Sequence, residues 1–193
     1  MSRLAVALAT LSISSSALAH VTPNVTLVRR GDFVKEALPG ASQYFEQFLD
    51  GPAAIESVRA ATGWSPTAEE ARIYVGKDGQ GRALGRVVFL WLPSEHGPVG
   101  IGVAFDPTGR IRRATVTDVG TEPLVWVRPL LDRFAALSDI GPDVIPEPAA
   151  LAPASSGRMV LYYAEVIVGG LRRAQAIDRV LRAATELSRT EHP

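Results

Sequence analysis

Arg86-Val87-Val88-Phe89-Leu90-Trp91-Leu92, then Pro98-Val99-Gly100-Ile101-Gly102-Val103-Ala104-Phe105, then Asp106-Pro107-Thr108-Gly109 and Ile111 to Val119 form the stretch that decides the fold. The first run is rich in β-branched and aromatic residues, which favour strands. Asp-Pro-Thr-Gly places proline and glycine where a tight turn wants them. Arg72-Ile73-Tyr74-Val75 precedes this region and reads as a further strand, with Lys77-Asp78-Gly79-Gln80-Gly81 as its turn. Strands this close in sequence, joined by short turns, must pair antiparallel.

Outward from this block the period changes. Upstream, Val25 to Val28 favours β structure. Asp32 is suited to cap a short helix from Phe33 to Leu38, which Pro39-Gly40 ends. Ser42 is suited to cap a second helix, with Tyr44, Phe45, Phe48 and Leu49 at helical spacing. Pro52 opens a third helix running to about Ala61. Downstream, Leu124 to Leu137 reads as a helix interrupted near Pro129, and the proline-rich stretch from Asp139 to Ser156 as a surface loop that connects or serves as a lid. A long helix closes the chain, with Ile177, Val180, Leu181, Ala184 and Leu187 on one face. The expectation is an α+β fold: an antiparallel sheet of about four strands, short N-terminal helices, and a long C-terminal helix packed on the sheet.

Met1-Ser2-Arg3, the apolar run Leu4 to Leu11, and Ala17-Leu18-Ala19 follow the order of a secretory signal peptide cut after Ala19. The apolar run is too short for a membrane span. The expected location is therefore outside the inner membrane, in the periplasm, with no transmembrane segment in the mature chain. The chain has 193 residues, 47% hydrophobic and 21% charged, with a formal net charge of zero. That balance argues against long disorder and against a nucleic-acid partner. The absence of cysteine excludes disulfides, thiolate chemistry, Fe–S clusters and c-type haem attachment.

Few residues announce chemistry. His20, His96 and His192 are far apart; His96 reads as a solvated loop residue. His20 would become the new N-terminus after cleavage, and an N-terminal histidine offers two nitrogens to copper, but such a site needs further ligands. Gly76 to Gly85 is glycine-rich, yet it lacks the Walker lysine and joins two strands, so a hairpin turn is expected. Gly169-Gly170 follows the apolar run Met159 to Val168 and reads as a bend opening a helix at Leu171-Arg172-Arg173. Paired glycines allow close backbone approach, the first turn offers free N–H groups, and two guanidinium groups add charge, as an anion site requires. An ordinary helix break is the competing reading.

The order of these elements resembles the periplasmic FMN-binding domain family, found in the G subunit of Rnf complexes and the C subunit of the sodium-pumping NADH:quinone reductase. Three segments carry the likeness: Pro98 to Asp106 with Gly109-Arg110-Ile111, Thr121-Glu122-Pro123 with Leu130-Leu131-Asp132-Arg133-Phe134, and Glu165 to Leu171. The last is set against the family's D-x-x-S-G-A-T motif and its helix. With the signal peptide read over 1–19, the resemblance leaves an N-terminal extension over 20–31 and implies an FMN-binding-like domain over 32–189. It implies an electron carrier rather than a stand-alone enzyme, with a membrane or periplasmic redox protein as partner. Leu171 stands where flavinylated members have threonine, so FMN would be held without a covalent bond. Gly169, Gly170, Leu171, Arg172 and Arg173 would then take its phosphate, and Thr121, Glu122 and Trp126 would border its ring. The alternative is a degenerate domain that acts as a non-redox binding or assembly module.

Overall fold

The computed structural model describes residues 23–49, 51–67, 70–142 and 144–190. The expected signal segment and His20 lie outside these residues. Six strands form one antiparallel sheet: β1 (Asn24–Thr26), β2 (Gln43–Gln47), β3 (Ala71–Lys77), β4 (Ala83–Leu92), β5 (Val99–Phe105) and β6 (Ile111–Gly120). Their spatial order is β1-β6-β5-β4-β3-β2, and the sheet curls into half a barrel. The helices are α1 (Arg30–Ala37), α2 (Pro52–Thr62), α3 (Leu124–Val127), α4 (Leu131–Ala135), α5 (Pro148–Leu151) and α6 (Arg158–Thr190), with a 3-10 turn at Arg128–Leu130 joining α3 to α4.

The fold is α+β, but the sheet has six strands where about four are expected. The central meander β3–β6 comes from the runs that read as strands. The two additional strands close its ends. β1 arises within the stretch expected as an extension and pairs with β6, Val25 opposite Val119. β2 occupies the segment that reads as a helix from Ser42. Spacing of Tyr44, Phe45, Phe48 and Leu49 fits a helix, but tyrosine and phenylalanine also favour strands, and the open edge of β3 supplies a backbone ladder. Phe45 lies opposite Val75 and Glu46 opposite Tyr74. The Ser42 hydroxyl, read as a helix cap, instead donates to the Lys77 carbonyl at 3.4 Å.

The strands bury both faces. Val88, Leu90, Leu92, Ile101, Val103 and Phe105 face the large core under α6, while Val87, Phe89 and Ala104 face a smaller core closed by Phe33, Val34 and Leu38 of α1 and its end. Gly102 makes room on that second face, since a Cβ there would lie 2.9 Å from Phe89 and 3.0 Å from Phe33.

Two more readings are corrected. The stretch Asp139 to Ser156 is not wholly a loop: it contains α5, whose Leu151 is buried, and Gln175 of α6 donates to the Val144 carbonyl at 3.1 Å. The C-terminal helix does not open at Leu171. It begins at Arg158 and runs unbroken for 33 residues, about 50 Å, straight through Gly169 and Gly170. The apolar run Met159 to Val168 is its first core-facing face, with Tyr163, Ala164, Ile167 and Val168 buried. Burial against the sheet offsets the glycines' helix cost of about 1 kcal/mol each.

Candidate functional site

The eight residues expected at a cofactor site fall into two places. Gly169 to Arg173 lie in the interior of α6. Inside a helix the backbone N–H groups are used by the carbonyls four residues back, so the free donors expected at a bend are not there. Gly170 is buried; a Cβ on it would stand 2.5 Å from Leu92 Cδ1 and 2.8 Å from Ile101 Cδ1. The missing side chain thus serves close packing of helix on sheet. Leu171 is fully buried, and Arg172 is exposed. Arg173 is half-buried with its guanidinium 5.0 Å from the centre of the Trp64 ring; burial lowers its pKa, opposed by Glu70.

A pair of substitutions separates packing from ligand approach. Nothing lies within 4 Å of a Cβ on Gly169. Gly169→Ala is expected to stabilise the fold by about 0.5–1 kcal/mol through helix propensity. Gly170→Ala is expected to destabilise it by about 1–3 kcal/mol through overpacking. Urea unfolding of both reads the difference. A Gly169→Ala protein of unchanged stability that loses affinity for a phosphorylated ligand would restore the anion reading.

Thr121, Glu122 and Trp126 gather elsewhere, at a corner built by the turn after β6, the loop between β4 and β5, and the first turns of α6. The Thr121 N–H donates to the Pro23 carbonyl at 2.9 Å, and the Thr121 side chain lies at the exposed surface. Glu122 Oε1 lies 2.9 Å from His96 Nδ1. The His96 ring is 5.0 Å from the Trp126 ring, and Trp126 stacks on Tyr163 at 5.8 Å with planes 11° apart. Ser94 Oγ donates to the Gly97 carbonyl and lies 3.0 Å from the Tyr163 hydroxyl. Either hydroxyl can donate in that second contact. The Tyr162 hydroxyl accepts from the Glu95 N–H at 3.2 Å. Burial raises the Tyr163 pKa above the ordinary tyrosine value, and the contact with Ser94 opposes the rise.

The two groups do not form one site. Ten residues of helix separate Tyr163 from Arg173, about 15 Å along the axis. Sequence reasoning placed Thr121, Glu122 and Trp126 at a site and missed Ser94, His96, Tyr162 and Tyr163. His96, read as a solvated loop residue, is half-buried and partnered. The adjacent pair Tyr162-Tyr163 at the head of an apolar run is the signal that could have drawn attention to this end of the chain.

Among the described residues no three histidine, aspartate, glutamate or cysteine side chains come together as metal ligands. No helix among them is long and apolar enough to cross a membrane. Comparison of the chain with protein-family models, curated proteins and solved structures gives no match.

Proposed function

We propose that this chain is an exported carrier that holds FMN without a covalent bond at the Glu122–His96–Trp126–Tyr163 corner and relays electrons to a membrane or periplasmic redox protein. The observation that carries this reading is the gathering of planar rings and a His–Glu pair at the N-terminal end of a long helix. A flat isoalloxazine ring fits half-buried aromatic neighbours such as Trp126 and His96. A phosphate fits the start of α6, where the helix macrodipole is positive and Ser156, Gly157 and Arg158 lie near the surface. Residues 169–173 do not fit the phosphate, for the reasons above. Bound flavin would supply one- or two-electron chemistry, and the protein would position it and exclude water from one ring face.

A specific observation favours the non-redox alternative: Trp126 already stacks on Tyr163, so the corner's rings satisfy one another. The two readings part in one experiment. Protein recovered from the periplasm is examined by absorption spectrum and intact mass, and the purified chain is titrated with FMN. The flavin reading expects a yellow protein, non-covalent FMN, and a mature mass that begins at His20. Trp126→Ala and Arg158→Ala are each expected to weaken binding by roughly tenfold or more, while Arg172→Ala leaves it unchanged. A colourless protein that takes up no FMN would leave the binding-module reading in its place.

A further inference from the structure

Among the described residues the sheet ends at β2, and no further strand pairs with its outer edge. Gln43, Tyr44, Phe45 and Glu46 are exposed, and Phe48 beyond them is 57% exposed. An open edge presents unpaired N–H and C=O groups, and soluble domains blunt such edges with proline, lysine, bulges or very short strands. The opposite edge, β1, is three residues long. β2 itself contains neither proline nor lysine, and its register with β3 runs without a shift; the nearest cation, the Lys77 ammonium of β3, lies 5.0 Å from the centre of the Phe45 ring. Its single charge, Glu46, is turned to Arg72 of its own sheet at 3.6 Å.

The strand reads almost alike in both directions about Phe45. Antiparallel pairing with another β2 across a two-fold axis sets Phe45 against Phe45, Gln43 against Gln47, and Tyr44 against Glu46. The carboxylate therefore meets a tyrosine, not another carboxylate. Tyr44 of the strand borders a cleft of about 240 Å³ with Val34 and Tyr74, and just past the strand's end Phe48 borders another of about 210 Å³ with Ile55 and Ile73. Side chains of an added strand alternate between the two faces and cover both.

We infer that β2 is an interaction edge for a second copy of this chain, joining two half-barrels into one continuous sheet by an isologous contact. The inference does not rest on the flavin reading. Sedimentation of the full mature chain over a roughly hundredfold concentration range is expected to show a monomer–dimer equilibrium. Phe45→Lys places two ammonium groups opposite each other and is expected to raise the dissociation constant by roughly tenfold or more. Because the chain has no cysteine, Phe45→Cys introduces a unique thiol. It should form a disulfide-linked dimer on mild oxidation much faster than Val144→Cys, at another exposed position. A wild-type chain that stays monomeric throughout would overturn the inference. So would equal cross-linking rates at 45 and 144, a result that stands even if Phe45→Lys fails to fold.

Discussion

Asp178→Ala is expected to cost the fold about 3–5 kcal/mol, the largest loss foreseen for a single side chain here. Asp178 is 1% exposed and sits on α6 where the helix crosses β4. Its Oδ1 accepts from Arg86 Nη1 at 3.2 Å, and its Oδ2 accepts from Arg182 Nε at 2.7 Å. Arg86 is itself buried and also donates to Thr185 Oγ1 at 3.3 Å. The Arg182 guanidinium lies against the turn between β5 and β6, where a Cβ on Gly109 would stand 2.5 Å from it. One carboxylate thus holds two guanidinium groups, one from the sheet and one from its own helix.

Removing that carboxylate takes from the buried Arg86 guanidinium the carboxylate it donates to and leaves it beside a second cation. The loss is large because the stranded group has already been taken out of water. Denaturant unfolding should show a lower midpoint with an unchanged slope. Replacing Arg86 by methionine and Asp178 by leucine together should restore most of the loss, because the more deeply buried guanidinium then leaves with the carboxylate and the one that stays, Arg182, reaches water at 21% exposure. A loss below about 1 kcal/mol for Asp178→Ala, the range of exposed pairs, would mean that water screens the network through the cleft beside Arg86 and Thr185.

Gly85→Ala is expected to be comparably severe, of the order of 4 kcal/mol. Gly85 has φ +152°, and a Cβ would stand 2.2 Å from the Phe105 carbonyl oxygen on β5. That atom belongs to the backbone of a central strand, where Arg86 pairs with Phe105. Relief would require moving the ladder, so strain and lost pairing act together. The site opposes Gly76 on β3, and Leu38 packs against both glycines, which ties the end of α1 to the same point. Gly79→Ala in the nearby hairpin turn, where nothing lies within 4 Å of a Cβ, should change stability by less than about 0.5 kcal/mol. Equal midpoints for the two variants would show that β4 relaxes at Gly85 and that the carbonyl contact does not constrain it.

Neither position advertises its role in the sequence. Asp178 and Arg86 are 92 residues apart, and no local pattern links them. Gly85 is one glycine among several in a turn-rich stretch. The corner of the proposed function is legible only in part. Thr121, Glu122 and Trp126 came forward through motif order, whereas Ser94 and His96 join them only because the β4–β5 loop folds back against α6.

The local sequence was sufficient for the meander β3–β6, because dense β-branched and aromatic runs broken by Pro-Gly turns leave short antiparallel pairing as the one way to satisfy their backbone. It was also sufficient for the helical nature of the chain's end. Tertiary structure alone decided that Gln43–Gln47 is a strand and that α6 passes unbroken through Gly169-Gly170. In both cases local preference is weak or divided, and a distant partner settles it. The open edge of β3 offers hydrogen bonds to a segment able to go either way. The Leu92–Ile101 surface rewards a helix that can approach closely at Gly170.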